Sequence, residues 1–182
     1  MLTTPRILGA ALLLLLGACS LPKTTAPPVP PPVAAAPQPA APAGAWVWSG
    51  PLESAGTRLR GSLGGAAEVS QTSDQRLWIA LPVETAFAAG RSAVTPAAGA
   101  WLDQIAAALR GLPRAQVQIV GPADPRGGGQ NLAVDRAASA RDWMVMRGVP
   151  PPRMAVSGPA ARGRGVAADG RLHILVGERG AP

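Results

Sequence analysis

Side chains able to do chemistry are few in this 182-residue chain, and their spacing excludes most reactions. Cys19 is the sole cysteine and His173 the sole histidine, so no Cys/His set is available to hold a metal. Asp103, Asp124, Asp135 and Asp142 fall at spacings that form no acid pair. Gly127-Gly128-Gly129 lacks the Lys-Ser/Thr that a phosphate loop requires, and no nucleophile motif occurs. His173 lies in a strand-like run and reads as a structural residue. Asp124 and Arg136 stand twelve positions apart. On chemistry alone they read as an internal salt bridge, worth ~0–1 kcal/mol at a surface. Neither an enzyme nor a cofactor nor a metal is expected.

Cys19 has a different context. Arg6 precedes an almost unbroken apolar run, Ile7 to Leu16, which is shorter than the ~20 residues that a membrane-spanning helix needs. Its length is that of a signal-peptide core, and small residues, Gly17 and Ala18, occupy the cleavage position. An ordinary secretory signal beside a chance cysteine is the bland alternative. The position, neighbours and uniqueness of Cys19 favour another reading, because Leu16-Gly17-Ala18-Cys19 resembles a lipobox. That resemblance implies cleavage before Cys19 and lipid on its sulfur. Each buried CH2 contributes ~0.8 kcal/mol, so two or three acyl chains hold firmly where one binds marginally. Ser20 stands where an Asp would imply retention in the inner membrane, so the resemblance implies the outer membrane, with the rest of the chain facing the periplasm. With Cys19 lipidated, no thiol remains for a disulfide.

Residues 19–43 then form a lipidated N-terminus and a Pro/Ala-rich tether. Pro27-Pro28 and Pro30-Pro31-Pro32 fix φ and remove donors, so this segment cannot enter a helix or sheet. In polyproline II its Leu21 to Ala43 stretch would extend about 70 Å, at ~3.1 Å per residue. The residues from Gly44 onward suffice for one domain. Seventeen Lys and Arg against ten Asp and Glu give a net charge of +7, almost all of it from Arg. Such a balance suits anionic partners, although compositional bias explains it equally well. Nucleic acid is not an expected partner of an exported chain.

The elements that must position Asp124 and Arg136 follow from periodicity. Glu53 to Leu63 is a weak helix candidate. Ala67 to Ser70 and Arg76 to Leu81 read as strands about a polar turn, with Leu77, Ile79 and Leu81 on one face and Trp78 on the other. Thr95-Pro96 reads as an N-cap followed by a first-turn proline, opening a helix that buries Leu102, Ile105 and Leu109 and stops at Gly111. Gln116 to Val120 is a strand, and Leu132 to Arg147 a second helix ended by Gly148. Arg153 to Ser157 and Leu172 to Val176 are short strands. The order predicts an α+β sandwich, βαβαββ, with the helices on one mixed sheet.

From about Leu77 to Val176 these elements carry a recognisable series of motifs. They comprise Phe87-Ala88-Ala89-Gly90, then Val117-Gln118-Ile119-Val120-Gly121-Pro122-Ala123-Asp124, then Leu132-Ala133-Val134-Asp135-Arg136-Ala137, then Gly148-Val149 and Arg153-Met154. In this order the chain resembles the OmpA-like C-terminal domain, the peptidoglycan-binding module shared by OmpA, the Pal lipoprotein and MotB. The resemblance implies recognition of diaminopimelate in a stem peptide, with Asp124 taking its ammonium and Arg136 its carboxylate. Asn131 stands for the family's loop Asn, and Arg171 is what remains of its Asn-Arg-Arg before the last strand. Peptidoglycan is thus the expected partner, beside the outer membrane through the lipid anchor, with room for envelope protein partners.

The sequence departs from the pattern at Pro122 and Ala123, in a shorter loop from Asp124 to Arg136, and at Asp169-Gly170. A fold kept as an interaction subunit without wall binding is therefore the alternative. The expected organisation is a signal at 1–18, the lipidated tether at 19–43, an N-terminal extension at 44–75, the OmpA-like domain at 76–177 and a tail at 178–182.

Overall fold

The computed structural model describes residues 44–124, 129–159 and 169–180. The expected signal at 1–18, Cys19 and the expected tether at 19–43 lie outside the described residues.

Strand β1, Trp46–Val47, leads into helix α1, Gly50–Leu63. The Ser49 side chain accepts from the Leu52 amide at 3.2 Å, and Pro51 occupies the first turn, so the helix starts earlier than its apolar periodicity alone indicates. Leu52, Ala55, Leu59 and Leu63 form its buried face. Strands β2, Glu68–Gln71, and β3, Leu77–Pro82, pair antiparallel. A single helical turn, α2 (Val83–Ala86), follows β3 directly. Helix α3, Pro96–Arg110, has the expected Thr95 cap, whose hydroxyl accepts from the Ala98 amide at 3.2 Å. Then come β4 (Gln116–Val120), α4 (Gly129–Met146), β5 (Met154–Ser157) and β6 (Arg171–Arg179).

The sheet order is β2-β3-β6-β4-β5, with β1 on the end of β6 through Trp46↔Arg179 and Val47↔Glu178. Among the described residues only β4 and β5 run parallel, joined by α4 as the crossover that a parallel pair requires. This is the mixed sheet under helices that the sequence predicts, and it is longer than predicted. Residues 44–75, expected as an extension, supply β1, α1 and β2 to the same sheet and core.

One face of the sheet carries Leu77, Ile79, Leu81, Val117, Ile119, Leu172, Ile174 and Val176, which share one core with Leu52, Leu59, Leu102, Ile105 and Met144 from the helices. The intervening positions of β6, His173 and Leu175, are buried on the other face, outside that core. Past the end of α3, Arg153 donates to the carbonyls of Ala115 (2.8 Å) and Leu112, tying the loop between α3 and β4 to the start of β5.

Candidate functional site

Asp124 and Arg136 meet beyond the C-terminal end of β4. Gly121 makes the meeting possible. A Cβ there would stand 1.7 Å from the Ala133 carbonyl oxygen, so only glycine lets β4 and α4 come this close. Arg136 then projects from α4 with only 1% of its surface exposed. Its Nε donates to the Arg91 carbonyl at 3.0 Å, one Nη to the Pro122 carbonyl at 3.1 Å, and the other to Asp124 Oδ2 at 3.0 Å. The planar fork thus ties together the turn after α2, the exit of β4, and the acid. Among the described residues its two remaining N–H donors have no partner. The Phe87 ring lies beneath the guanidinium, 5.4 Å from ring centroid to Cζ.

Asp124 Oδ2 also accepts from the Gly90 amide at 3.0 Å. Gly90 has φ +67°, a left-handed conformation that a side chain would strain. Its amide is thereby turned onto the carboxylate. The acid and the guanidinium line a cleft of about 200 Å³ with Val83, Glu84, Phe87 and Ala88.

The other two expected site residues lie elsewhere. Asn131 is exposed in the first turn of α4 and does not line this cleft. Arg171 opens β6, where it pairs with Glu68 at 2.6 Å, and it lines a neighbouring cleft of about 500 Å³ together with Asp169. Glu84 belongs to the walls of both clefts.

Phe87, the Gly90 amide and the carbonyls of Arg91 and Pro122 were not expected as site groups. Phe87 and Gly90 had a signal, their place in the Phe-x-x-Gly motif, whereas backbone carbonyls leave none. His173 is only 2% exposed. Its Nδ1 accepts from Trp78 Nε1 at 2.9 Å, and its Nε2 meets Asp169 Oδ1 at 2.7 Å. Both ring nitrogens are therefore engaged in holding β3, β6 and Asp169, two residues ahead of β6, together. No group of three or more metal-ligating side chains occurs among the described residues.

Residues 86–171 match the model of the OmpA family. No curated protein matches the sequence. Among solved structures, the chain is similar to a MotB-like protein from Desulfovibrio vulgaris, at 16% identity and a TM-score of 0.55, over 72% of this chain and 93% of that one. The cell wall anchor of the type VI secretion system from Pseudomonas aeruginosa gives 20% identity and a TM-score of 0.55, over 68% and 96%. The periplasmic domain of Helicobacter pylori MotB gives 20% identity and a TM-score of 0.52, over 63% and 81%. At such identities the likeness is one of fold.

Proposed function

With residues 86–171 an OmpA-family domain, we propose that this chain is an outer-membrane lipoprotein whose domain binds the peptidoglycan stem peptide without covalent attachment. It would tether the membrane to the wall as a binding module rather than a catalyst. The observation that carries this reading is the convergence of Asp124 and Arg136 on one cleft. The free end of diaminopimelate bears an ammonium and a carboxylate. The carboxylate suits the two Arg136 donors that have no partner among the described residues, and the ammonium suits the Asp124 carboxylate beside them. The Gly90 amide and the two backbone carbonyls hold both groups in place before the ligand arrives, so little ordering is left for binding to do. Cys19 supplies the lipid and residues 19–43 the reach.

A sacculus pull-down tests it, using the chain from residue 19 with Cys19→Ser so that no acyl chain intervenes. The wild-type sequence is expected to be retained. Loss of retention is expected for Asp124→Ala combined with Arg136→Ala. Because that pair also supports the fold, Ala88→Trp provides a second variant, filling the cleft from its exposed rim. Retention that survives the cleft-filling variant would sink the site.

One observation favours a second reading, an envelope subunit that has kept the fold without wall binding. Asp124 and Arg136 already bond each other directly at 3.0 Å in a small cleft. Absent retention by the wild-type chain, together with a stably co-purifying protein, would establish it.

A further inference from the structure

A third cleft, of about 320 Å³, lies at the opposite end of the sheet, where β3 begins, β6 ends and β4 begins. Leu175 lies in its floor, and Trp46, Arg76, Gln118 and Arg179 stand around it. The indole of Trp46 sits over Gly177, where an added Cβ would come within 2.6 Å of the ring and 2.8 Å of Arg76 Cγ. The bare strand thus seats the aromatic ring, and two guanidinium groups flank it. The Cζ of Arg179 is 3.9 Å from the indole centroid and that of Arg76 is 5.4 Å away.

The charges here do not cancel. Asp74 pairs with Arg76 at 2.6 Å. Burial alone would raise the Asp74 pKa, but the hydrogen bonds from Arg76 and Thr72 and the charge of Arg76 outweigh it, so the carboxyl titrates below its ordinary value and stays ionised. Gln118 Oε1 accepts from the other arm of Arg76 at 3.2 Å. Glu178, the neighbouring acid on β6, is engaged by the Ser49 hydroxyl. Arg179 donates to the Gly44 carbonyl and has no carboxylate within 4.0 Å among the described residues. Two guanidinium groups and an indole therefore line one cleft that no carboxylate lines among the described residues, with the Asp74 carboxylate paired to Arg76 beside it.

We propose that this cleft docks the domain on an anionic lipid surface by taking the phosphate of a headgroup between Arg76 and Arg179. Guanidinium forks match phosphate oxygens, and indole rings favour the interface between water and acyl chains. Position supplies the second argument. The chain passes from the tether into the domain at Gly44, whose carbonyl Arg179 holds, so the basic end is also the tether-proximal end. Asp124 lies past the far end of β4, so a docked domain points its wall-binding cleft away from the membrane. The proposal rests on the lipoprotein reading above for the identity of the surface.

Co-sedimentation of the chain from residue 19 with Cys19→Ser is the test, on phosphatidylglycerol/phosphatidylcholine vesicles and on phosphatidylcholine alone at low salt. Binding to the anionic vesicles only is expected. Arg76→Gln with Arg179→Gln should weaken it about tenfold or more, as near-surface cations do. Arg58→Gln with Arg141→Gln, which removes the same charge from the helices, should leave it unchanged. Should the first double variant fail to fold, Arg179→Glu alone, at the exposed end of β6, should give a loss of the same sign. Equal binding to neutral vesicles, or an equal loss in the helix variant, would overturn the cleft. Displacement by soluble glycerol phosphate at matched phosphate concentration would overturn the membrane as its source. Sacculus retention, measured on the same variants, should not change, so a failure of wall binding and a failure of docking are read separately.

Discussion

Arg136 does at one position what no neighbour could replace. It is buried, charged, and bonded to two backbone carbonyls and one carboxylate, which belong to the turn after α2 and to the exit of β4. Removing one partner of a buried pair costs about 3–5 kcal/mol, because the other is left uncompensated. Arg136→Ala is therefore expected to lower unfolding stability in urea by about that amount. Arg136→Lys should recover less than half of it, since an ammonium cannot reach three acceptors spread around a planar fork. Full recovery by lysine would show that charge alone matters. The two residues were legible only through their motif series. Twelve positions of separation say nothing about burial, and a surface pair would be worth far less. At His173, Trp78 donates to Nδ1, which requires the ring proton on Nε2, facing Asp169. Nitrogen NMR of the folded chain at neutral pH should report that tautomer, and the Nδ1–H form would contradict the geometry.

Gly121 governs how the elements meet. With a Cβ 1.7 Å from the Ala133 carbonyl, Gly121→Ala forces the backbone of α4 away from β4, and no flexible side chain can absorb the shift. We expect a loss of about 1–3 kcal/mol in urea unfolding, as for other overpacked contacts. Sacculus retention should weaken with it, because α4 carries Arg136; unchanged retention would mean that the cleft does not depend on this approach. Helix α3 and strand β4 were legible to the residue, since Thr95, Pro96 and Gly111 punctuate the one and alternation marks the other. Helix α1 was read short. Its buried residues begin at Leu52, and only the Ser49-Gly50-Pro51 signal announces the start. The turn α2 carries too few residues to show a period.

The molecule as a whole is built around a core that the N-terminal segment completes. Gly56 of α1 packs so closely on Leu77 of β3 that an added Cβ would lie 3.0 Å from Leu77 Cδ1, and Leu52 is fully buried. Leu52→Ala should therefore cost about 2–5 kcal/mol, a core-sized loss, in urea unfolding. Losses below ~1 kcal/mol would mark residues 44–75 as an appendage after all. The sequence by itself determined the longer elements, their order, and the lipobox-like start, because periodicity, caps and short motifs are local properties of the chain. It also pointed to Asp124 and Arg136, through motifs that stand in a fixed order. Only the tertiary structure decided that Arg136 is buried, that Arg171 lines a different cleft, that the N-terminal segment shares the core, and that Trp46 gathers two arginines at the far end of the sheet. Each of these depends on contacts between residues distant along the chain. Burial and pairing are set by where strands cross and helices approach, and no local pattern encodes them.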